Sequence, residues 1–313
     1  MSRRACGLRR YRGPPRHLLR TAVVLAVLIV AHGIDATAQA AESYDNCTGF
    51  IDSLPATITT QGTWCLRDDL STAVATGNAI TVAANNVTLD CNDFKVGGLA
   101  AGAETQTTGI GSLERSNVVV RNCAVRGFSK GVWLRGGSGH VVEDNRFDGN
   151  TWLGISISFA DTVSVRRNQV VDTGGNLPLT ENPFGSATGI SISGAHALVL
   201  EHNSIGTVFA TDQCECTAVG ISVVDSSGDV RQNQVFNLMP DGSGSARGVQ
   251  IFANGAPEVT RVVVRDNVLV NRSAMPGHGI WSGGPATAIC RNNTVVGFAT
   301  AYDCADDGGN SSH

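Results

Sequence analysis

The amino-acid sequence predicts an all-β fold in which the chain winds into a solenoid of parallel strands. The first observation is a short motif that occurs eight times between Val87 and Val295, at spacings of 22 to 35 residues. Segments this short cannot be separate domains, so each must bury its apolar face against neighbouring copies. The second observation is an alternation of β-branched residues in most repeats, which is typical of strands. No stretch beyond residue 40 has a convincing helical period.

The motif consists of alternating apolar residues, a charged or polar pair, an asparagine and another apolar residue. Its copies are VTLDCNDF from Val87, VVVRNCAV from Val118, VVEDNRF from Val141, VSVRRNQV from Val163, LVLEHNSI from Leu198, DVRQNQV from Asp229, VVVRDNVL from Val262 and AICRNNTV from Ala288. The aligned asparagine position holds Asn92, Cys123, Asn145, Asn168, Asn203, Asn233, Asn267 and Asn293. A tight bend needs a residue that tolerates the left-handed conformation, as Asn does. We expect these residues to form the bend and to hydrogen-bond to one another along the axis.

A column of charged residues lies two positions before the asparagine. Its members are Asp90, Arg121, Glu143, Arg166, Glu201, Arg231, Arg265 and Arg291. The first six alternate in sign, and neighbouring coils lie ~4.8 Å apart, so we expect cross-strand ion pairs of ~0.2 to 1 kcal/mol each. The last three arginines would repel one another unless acidic residues such as Asp266, or a ligand anion, lie nearby.

The second half of each repeat begins with glycine and continues as an alternating strand. These strands are GVWL from Gly131, GISIS from Gly154, GISIS from Gly189, GISVV from Gly220, GVQIF from Gly248 and GIW from Gly279. Strands that recur in the same direction after every circuit must pair in parallel. One coil is therefore a strand, the asparagine turn, a short strand, a loop, the glycine strand and a second turn.

These features resemble the pectate-lyase-like right-handed parallel β-helix superfamily, in which an asparagine ladder occupies one turn. The resemblance covers about Ala79 to Cys304, and Cys47 to Asn92 is similar to the opening cap and first coil of exported bacterial β-helix proteins. It implies a single-stranded right-handed parallel β-helix (solenoid) of about eight to nine coils. The expected segments are a signal peptide at 1–40, an N-terminal cap and first coil at 41–85, the β-helix at 86–304 and a flexible tail at 305–313.

The first 40 residues have the pattern of a secretory signal peptide. Seven arginines precede an apolar run from Ala22 to Ala31, and small residues follow up to Ala40. Ten apolar residues fall short of the roughly 18 to 20 that cross a bilayer. We expect cleavage near Ala40, a secreted or periplasmic protein and no retained membrane span.

Cleavage changes the formal net charge from −4 to −10, because seven arginines and Asp35 leave the chain. An acidic protein lacks the dense Lys and Arg with which non-specific nucleic-acid binding displaces counterions. We therefore expect no nucleic-acid partner. An anionic polysaccharide would need a local cationic pocket or a bridging divalent cation.

Eight cysteines remain after cleavage, and an even number in an exported chain favours disulfides. Cys91 and Cys123 lie within one position of each other on adjacent coils. We predict the pairs Cys91–Cys123, Cys47–Cys65 and Cys290–Cys304. Alternatively, Cys290 is a small buried apolar residue. Cys214-Glu215-Cys216 is too tight for an easy mutual bridge and lacks His partners at zinc spacing, so it predicts no metal site.

The resemblance implies that the glycine strands form the face on which related lyases, hydrolases and epimerases bind sugar chains. Four long loops precede these strands on consecutive coils: Asp172–Thr188, Gly206–Val219, Asn237–Arg247 and Asn271–His278. Insertions gathered on one side of a solenoid usually mark its functional side, although surface loops also tolerate insertions without a function.

The outward positions of the glycine strands are candidate substrate-binding residues. They are Trp133, Ser156, Ser191, Ser222, Gln250 and Trp281. Tryptophan rings stack well on sugar faces, and five coils between the two Trp residues span ~24 Å, a suitable length for an oligosaccharide. Alternatively, Trp133 only caps a groove that the loops pack.

The candidate catalytic residues are Arg247, His278 and Asp241. Arg247 and His278 occupy the position just before glycine on adjacent coils, so a cation beside an imidazole would neutralise a uronate and remove a proton. Strict strand alternation points this position inward, so the hypothesis requires the alternation to be broken. Alternatively, both side chains cap loop carbonyls.

Two other enzyme types lack their full motifs. Gly277-His278-Gly279 matches a tripeptide of polygalacturonase-like hydrolases, but the preceding glycine strands lack the two carboxylates that glycoside hydrolysis requires. Pectate-lyase-like enzymes hold Ca²⁺ with acidic residues, which occur here only in the loops. We therefore predict no cofactor, with Ca²⁺ as an alternative that no motif supports.

The leading hypothesis is a monomeric exported β-helix protein that binds or modifies a carbohydrate polymer through a lyase-, epimerase- or hydrolase-like groove. The alternative is a non-catalytic envelope or surface β-helix protein that binds another protein, which the missing carboxylates favour. A third hypothesis, copper handling as in β-helix proteins of nitrous-oxide reductase maturation, depends only on Met239, Met275 and His278.

Overall fold

The chain forms the expected solenoid, in which the paired strands of successive coils run parallel to one another. The computed structural model describes Tyr44 and residues 46–176, 186–211, 215–254 and 260–313, with the backbone alone at 273–275. The predicted signal peptide at 1–40 lies outside these residues. Strands are numbered in chain order below, and each belongs to one of three faces that the chain visits in every coil.

The first face contains the first strand of each repeat and has eleven strands among the described residues. They are β1 (Gly49–Ile51), β3 (Gly62–Leu66), β6 (Val87–Asp90), β9 (Val118–Arg121), β12 (Val141–Glu143), β15 (Ser164–Arg166), β18 (Leu198–Glu201), β21 (Gly228–Arg231), β24 (Arg261–Arg265), β26 (Thr287–Arg291) and β28 (Ala305–Asp306). The eight motif copies predict about eight to nine coils. The three additional strands, β1, β3 and β28, lie at the two ends and lack the motif.

The second face contains the short strand after the asparagine turn. Its strands are β4 (Leu70–Ser71), β7 (Lys95–Gly97), β10 (Ala124–Arg126), β13 (Arg146–Asp148), β16 (Gln169–Gly174), β19 (Ser204–Phe209), β22 (Gln234–Met239), the beginnings of β25 (Val268–Gly283) and β27 (Thr294–Asp303), and β29 (Ser311–Ser312). One 3₁₀ helix, Leu99–Ala101, follows β7.

The third face contains the glycine strands. They are β2 (Ala56–Ile58), β5 (Asn78–Val82), β8 (Thr108–Leu113), β11 (Lys130–Arg135), β14 (Leu153–Ser158), β17 (Ala187–Ser193), β20 (Ala218–Val224), β23 (Ala246–Phe252) and the ends of β25 and β27. The second and third faces form a single hydrogen-bonded sheet, because β25 and β27 continue from one face to the other.

The core consists of inward-pointing apolar side chains that stack in register from coil to coil. On the first face the fully buried stack is Leu89, Val120, Val142, Val165, Leu200, Val230, Val264 and Cys290. Each buried Val or Leu contributes roughly 1.5 to 3 kcal/mol of apolar transfer free energy. A single coil cannot bury these side chains by itself, so the apolar residues of successive coils must stack on one another.

The asparagine ladder is confirmed. Asn145 donates from Nδ2 to Asn168 Oδ1 at 3.0 Å, and Asn168 donates in the same way to Asn203. The chain of bonds continues through Asn233, Asn267 and Asn293 to Asn310. These side chains are buried except at the ends, and each Nδ2 of the buried members also donates to a carbonyl of the preceding coil.

The predicted backbone role of the ladder asparagines is wrong, except at Asn92. The left-handed residue is the one before the ladder position: Asn122, Asp144, Arg167, His202, Gln232, Asp266 and Asn292 have φ of 51° to 56°. The bend thus uses an exposed or half-buried side chain, and the ladder asparagine turns its amide into the interior. Asn92 is left-handed itself, with φ of 48°.

The ion-pair column is confirmed in exact cross-strand register from Asp90 to Arg291. Arg121 contacts Asp90 at 2.8 Å, Arg166 contacts Glu143 at 2.7 Å and Arg231 contacts Glu201 at 2.6 Å. Two aspartates neutralise Arg265, namely Asp229 at 2.7 Å and the predicted Asp266 at 3.3 Å. These ion pairs indicate that the column stabilises the fold.

The three predicted disulfides are present: Cys47–Cys65, Cys91–Cys123 and Cys290–Cys304. Cys290 is therefore more than a small apolar residue, although it is fully buried. Cys216 is also disulfide-bonded, whereas Cys214 lies outside the described residues. Disulfides of this number fit an oxidising compartment outside the cytoplasm.

The last nine residues do not form the expected flexible tail. They add a final partial coil, in which β28 pairs with β26 and β29 pairs with β27. Asn310 accepts from both the backbone N and Nδ2 of Asn293, at 2.9 and 3.0 Å, so it continues the ladder. The sequence pattern missed this coil because its strands are only two residues long.

Candidate functional site

The predicted substrate-binding residues form one straight outward column on the third face. Cross-strand pairing places Trp133, Ser156, Ser191, Ser222, Gln250 and Trp281 in register, and Asp303 follows them. Five coil spacings of ~4.8 Å give the column between the two Trp residues a length of ~24 Å. Their side chains are half-buried, except that Ser222 is buried. The face is therefore a linear surface.

The glycines explain how Arg247 reaches this face. Two consecutive buried residues, Gly248 and Val249, separate Arg247 from Gln250, so the inward and outward alternation is interrupted. A Cβ on Gly248 would lie 2.5 Å from the carbonyl oxygen of Gly279, closer than any side chain tolerates. The glycine thus permits close coil packing, and the position before it joins the outward surface.

The Arg247 guanidinium lies in an aromatic and polar setting. Its Nη1 donates to Gln250 Oε1 at 2.7 Å, and Gln250 Nε2 donates to Ser222 Oγ at 3.3 Å. The guanidinium carbon is 4.0 Å from the ring centroid of Trp281, which stacks on Phe252 at 5.8 Å. Burial lowers the pKa of Arg247, yet an arginine remains cationic at neutral pH. The aromatic contact holds the cation in place.

Two buried nitrogen atoms at this position lack hydrogen-bond partners. They are Nε of Arg247 and Nδ1 of His278, which belong to neighbouring residues in the cross-strand register. Within the part of the chain that the structure describes, no carboxylate lies within 4.0 Å of Arg247. Both nitrogen atoms are shielded from solvent, and a buried polar atom without a partner costs free energy.

The third candidate catalytic residue, Asp241, lies elsewhere. Its backbone N–H donates to the carbonyl of Cys216 at 3.1 Å, and its own carbonyl accepts from Gly244 in the loop between β22 and β23. Among the described residues, Asp241 forms no hydrogen bond or ion pair with Arg247 or His278. The predicted trio is thus a pair and a separate loop residue.

The structure adds a cationic cluster at the other end of the face that the sequence reasoning missed. Lys130 Nζ lies 5.1 Å from the ring centroid of Trp133 and 4.7 Å from that of Trp152. Lys130 pairs with Leu153 in the column that leads to Arg247. The position of Lys130 was predictable, because Lys130 precedes Gly131 just as Arg247 precedes Gly248, but its contact with Trp152 was not.

Three of the four predicted loops connect the second face to the third along one edge, between β16 and β17, β19 and β20, and β22 and β23. The fourth, Asn271–His278, is not a loop but part of the long strand β25, whose pairing with β27 shifts register twice there. Residues 177–185 and 212–214, with the acidic candidates Glu181 and Asp212, lie outside the described residues.

The described residues contain no group of three or more His, Cys, Asp or Glu side chains that could hold a metal ion. They also contain no helix that is long and apolar enough to cross a membrane.

Comparisons with known proteins identify the fold. Residues 71–298 match the family model described as "Right handed beta helix region". Among solved structures, the chain is similar to the Dettilon tailspike protein at 13% identity and a TM-score of 0.47, over 84% of this chain and 55% of the tailspike chain. It thus spans about half of that protein.

The chain is also similar to two further solved structures. The alginate lyase from Paenibacillus sp. is 13% identical over 85% of this chain and 100% of the lyase, with a TM-score of 0.41. The A-module of the mannuronan C-5 epimerase from Azotobacter vinelandii is 13% identical over 85% of this chain and 91% of the module, with a TM-score of 0.42. No curated protein matches the chain.

Proposed function

Because the chain belongs to the right-handed beta-helix family, we propose that its third face is the working surface and that it binds a carbohydrate polymer there. The observation that carries the proposal is the Arg247 guanidinium against the ring of Trp281 at one end of a linear outward column, with His278 next to Arg247 in the cross-strand register. A polymer with repeated hydroxyl groups suits a surface of serines and glutamine edged by aromatic rings. The solved structures named above are described as a tailspike, an alginate lyase and a mannuronan epimerase, and these descriptions agree with a glycan ligand.

The residues have distinct roles in this proposal. Arg247 neutralises an acidic group of the polymer through its guanidinium, held by Gln250 and Trp281. His278 lies beside it and takes the proton from the carbon next to that acidic group. The electron pair forms a carbon–carbon double bond as the carbon–oxygen bond to the neighbouring sugar breaks, and the imidazolium returns the proton to the departing oxygen. A protein exported to the periplasm or beyond would meet such polymers, and its disulfides fit that location.

A second candidate function is binding without catalysis. It is favoured by the neutral outward residues of β14, β17 and β20, where Ser156, Ser191 and Ser222 stand in the column. Hydrolysis of a glycosidic bond normally needs two positioned carboxylates, and Asp303 is the one that the described column supplies. In this case the same groove holds a glycan or a partner protein without turnover.

The test is a screen of the purified protein against uronate-containing and neutral polysaccharides, with measurement of unsaturated product and of retention on immobilised polymer. We expect retention by the wild type and its loss in Arg247→Ala. His278→Ala removes product formation but keeps retention if the protein is an enzyme. The matched control is Arg291→Ala, which removes an exposed arginine from the first face and leaves both readouts unchanged. No retention on any glycan overturns the proposal.

A further inference from the structure

One strand edge at the C-terminal end of the solenoid has no partner. On one side β27 pairs with β25 as far as Asp303, but on the other side it pairs with β29 only at Thr294 and Val295. The backbone hydrogen bonds on that second side stop at Gly297. Among the described residues no strand pairs with the second side of Phe298–Asp303, so its backbone donors and acceptors are open to another strand.

This edge forms a step at the end of the solenoid. On the first face β28 pairs with Ile289 and Cys290 of β26, and on the second face β29 lies beyond β27. These two faces therefore extend one strand further than the third face. Neighbouring strands lie ~4.8 Å apart, so the step has the height of one strand. We call the edge of Phe298–Asp303, with β28 and β29 beyond it, the terminal step.

The terminal step exposes part of the apolar core. Phe298, Ala301, Tyr302 and Cys304 pack against the core but remain partly exposed. Tyr302 is aligned with Ile280 of the preceding coil, which is fully buried. A strand laid on the step would bury these side chains, just as each coil buries the inward side chains of the coil before it.

A carboxylate lies at one end of the terminal step. Asp303 is exposed, and it forms no ion pair with a described residue. It borders a cavity of about 320 Å³ that Ala286 and Thr287 also line. On the first face, aligned residues of adjacent strands form ion pairs, as Arg166 and Glu143 do at 2.7 Å. A Lys or Arg aligned with Asp303 would form the same kind of pair.

The shape of the step distinguishes a second copy of the chain from a separate segment. The described N-terminal end presents β1 on the first face and β2 on the third face of the same coil. In a head-to-tail pair, β1 of one copy would meet β28 of the other, and β2 would stay one strand spacing away from Phe298–Asp303. Two C-terminal ends that face each other would likewise meet first at β28 and β29. A single extended segment fits the step without this obstruction.

We infer that the terminal step binds an extended segment of a partner protein, which adds as a strand along Phe298–Asp303. The segment carries apolar residues at its inward positions and a Lys or Arg aligned with Asp303. In such strand addition, main-chain hydrogen bonds supply affinity and the side chains supply selectivity. The inference does not depend on the proposed carbohydrate binding, because the step lies beyond the outward columns of the third face.

The probe is a fluorescently labelled peptide with the sequence of β17, Ala187–Ser193, that carries Ser191→Lys. β17 pairs with β14 in the register that the added strand would adopt, and it aligns Ser191 with Ser156 as the lysine would align with Asp303. A second peptide carries Ser191→Glu. Binding of each peptide to the purified protein is measured by fluorescence anisotropy at physiological ionic strength.

The Ser191→Lys peptide is expected to bind about tenfold tighter than the Ser191→Glu peptide, because Asp303 faces an opposite charge in one and a like charge in the other. Asp303→Lys is expected to reverse this preference. The matched control is Asp68→Lys, the same change at an exposed residue near the N-terminal end, which is expected to leave the preference unchanged. A folded protein that binds neither peptide, binds both equally, or keeps its preference in Asp303→Lys overturns the inference.

Discussion

The asparagine ladder gives the sharpest stability prediction, which is the replacement Asn203→Ala. Asn203 is 1% exposed and lies in the middle of the ladder. Its Nδ2 donates to Val165 O and to Asn233 Oδ1, both at 2.9 Å. Its Oδ1 accepts from the backbone N and from Nδ2 of Asn168, both at 3.0 Å. Alanine removes all four bonds and leaves the partner atoms buried.

The magnitude follows from these four bonds. A hydrogen bond contributes about 1 kcal/mol net, and an orphaned buried partner costs about 1 to 3 kcal/mol. The expected loss is therefore about 4 kcal/mol, a large part of the roughly 5 to 15 kcal/mol that stabilises a typical domain. The matched control is Asn254→Ala, an exposed asparagine whose side chain donates one bond to Asp225. Its loss is expected to stay within about 0.5 kcal/mol.

The assay is urea unfolding of both variants followed by circular dichroism, with the free energy of unfolding from linear extrapolation. A loss of several kcal/mol in Asn203→Ala alone supports the ladder as a major source of stability. A loss of less than about 1 kcal/mol would show that neighbouring coils or water replace its bonds, and would refute the reasoning.

Substitutions at three further positions test other features of the fold. Glu201→Gln breaks the 2.6 Å pair with Arg231 and is expected to lower the free energy of unfolding by about 0.5 kcal/mol, less in high salt; a salt-independent loss in urea titrations contradicts an ionic origin. Gln232→Gly relieves a left-handed residue with φ of 54° and is expected to raise stability by about 0.5 kcal/mol in thermal melts, whereas Gln232→Val is expected to lower it. His140 is buried, and burial lowers its pKa, so stability is unaffected above the unfolded pKa of about 6.5 and falls as the pH decreases towards the folded value. His140→Gln is expected to flatten this part of the pH profile; an unchanged slope assigns the acid sensitivity to other groups.

Sequence periodicity was sufficient for the fold because like residues stack over like. The positions of Asn145, Arg121 and Cys91 each recur at a fixed place in the repeat, and the structure pairs them as expected. Backbone conformation was less accessible. The left-handed residue of each turn precedes the recurrent asparagine, as His202 and Gln232 do. Asparagine recurs at the next position because its buried amide forms the ladder bonds, and not because the bend requires it.

The candidate site was partly accessible from the sequence. Register alone placed Trp133 and Trp281 on one column, but strict alternation pointed Arg247 inward, and only the close approach of Gly248 to Gly279 brings it out. The Lys130 cluster depends on Trp152, which lies just before a strand and outside the repeat pattern. Contacts of that kind have no periodicity from which to be predicted.

The four tryptophans of the chain allow the most direct test of ligand binding on the third face. Trp133, Trp152 and Trp281 belong to that face, whereas Trp64 lies on the first face in β3. Titration with the polysaccharide panel, followed by tryptophan fluorescence, is expected to change the emission of the wild type. The change is expected to disappear when the three third-face residues are replaced by phenylalanine. Retained polymer with unaltered emission, or a response that survives in the triple variant, would contradict binding at this face.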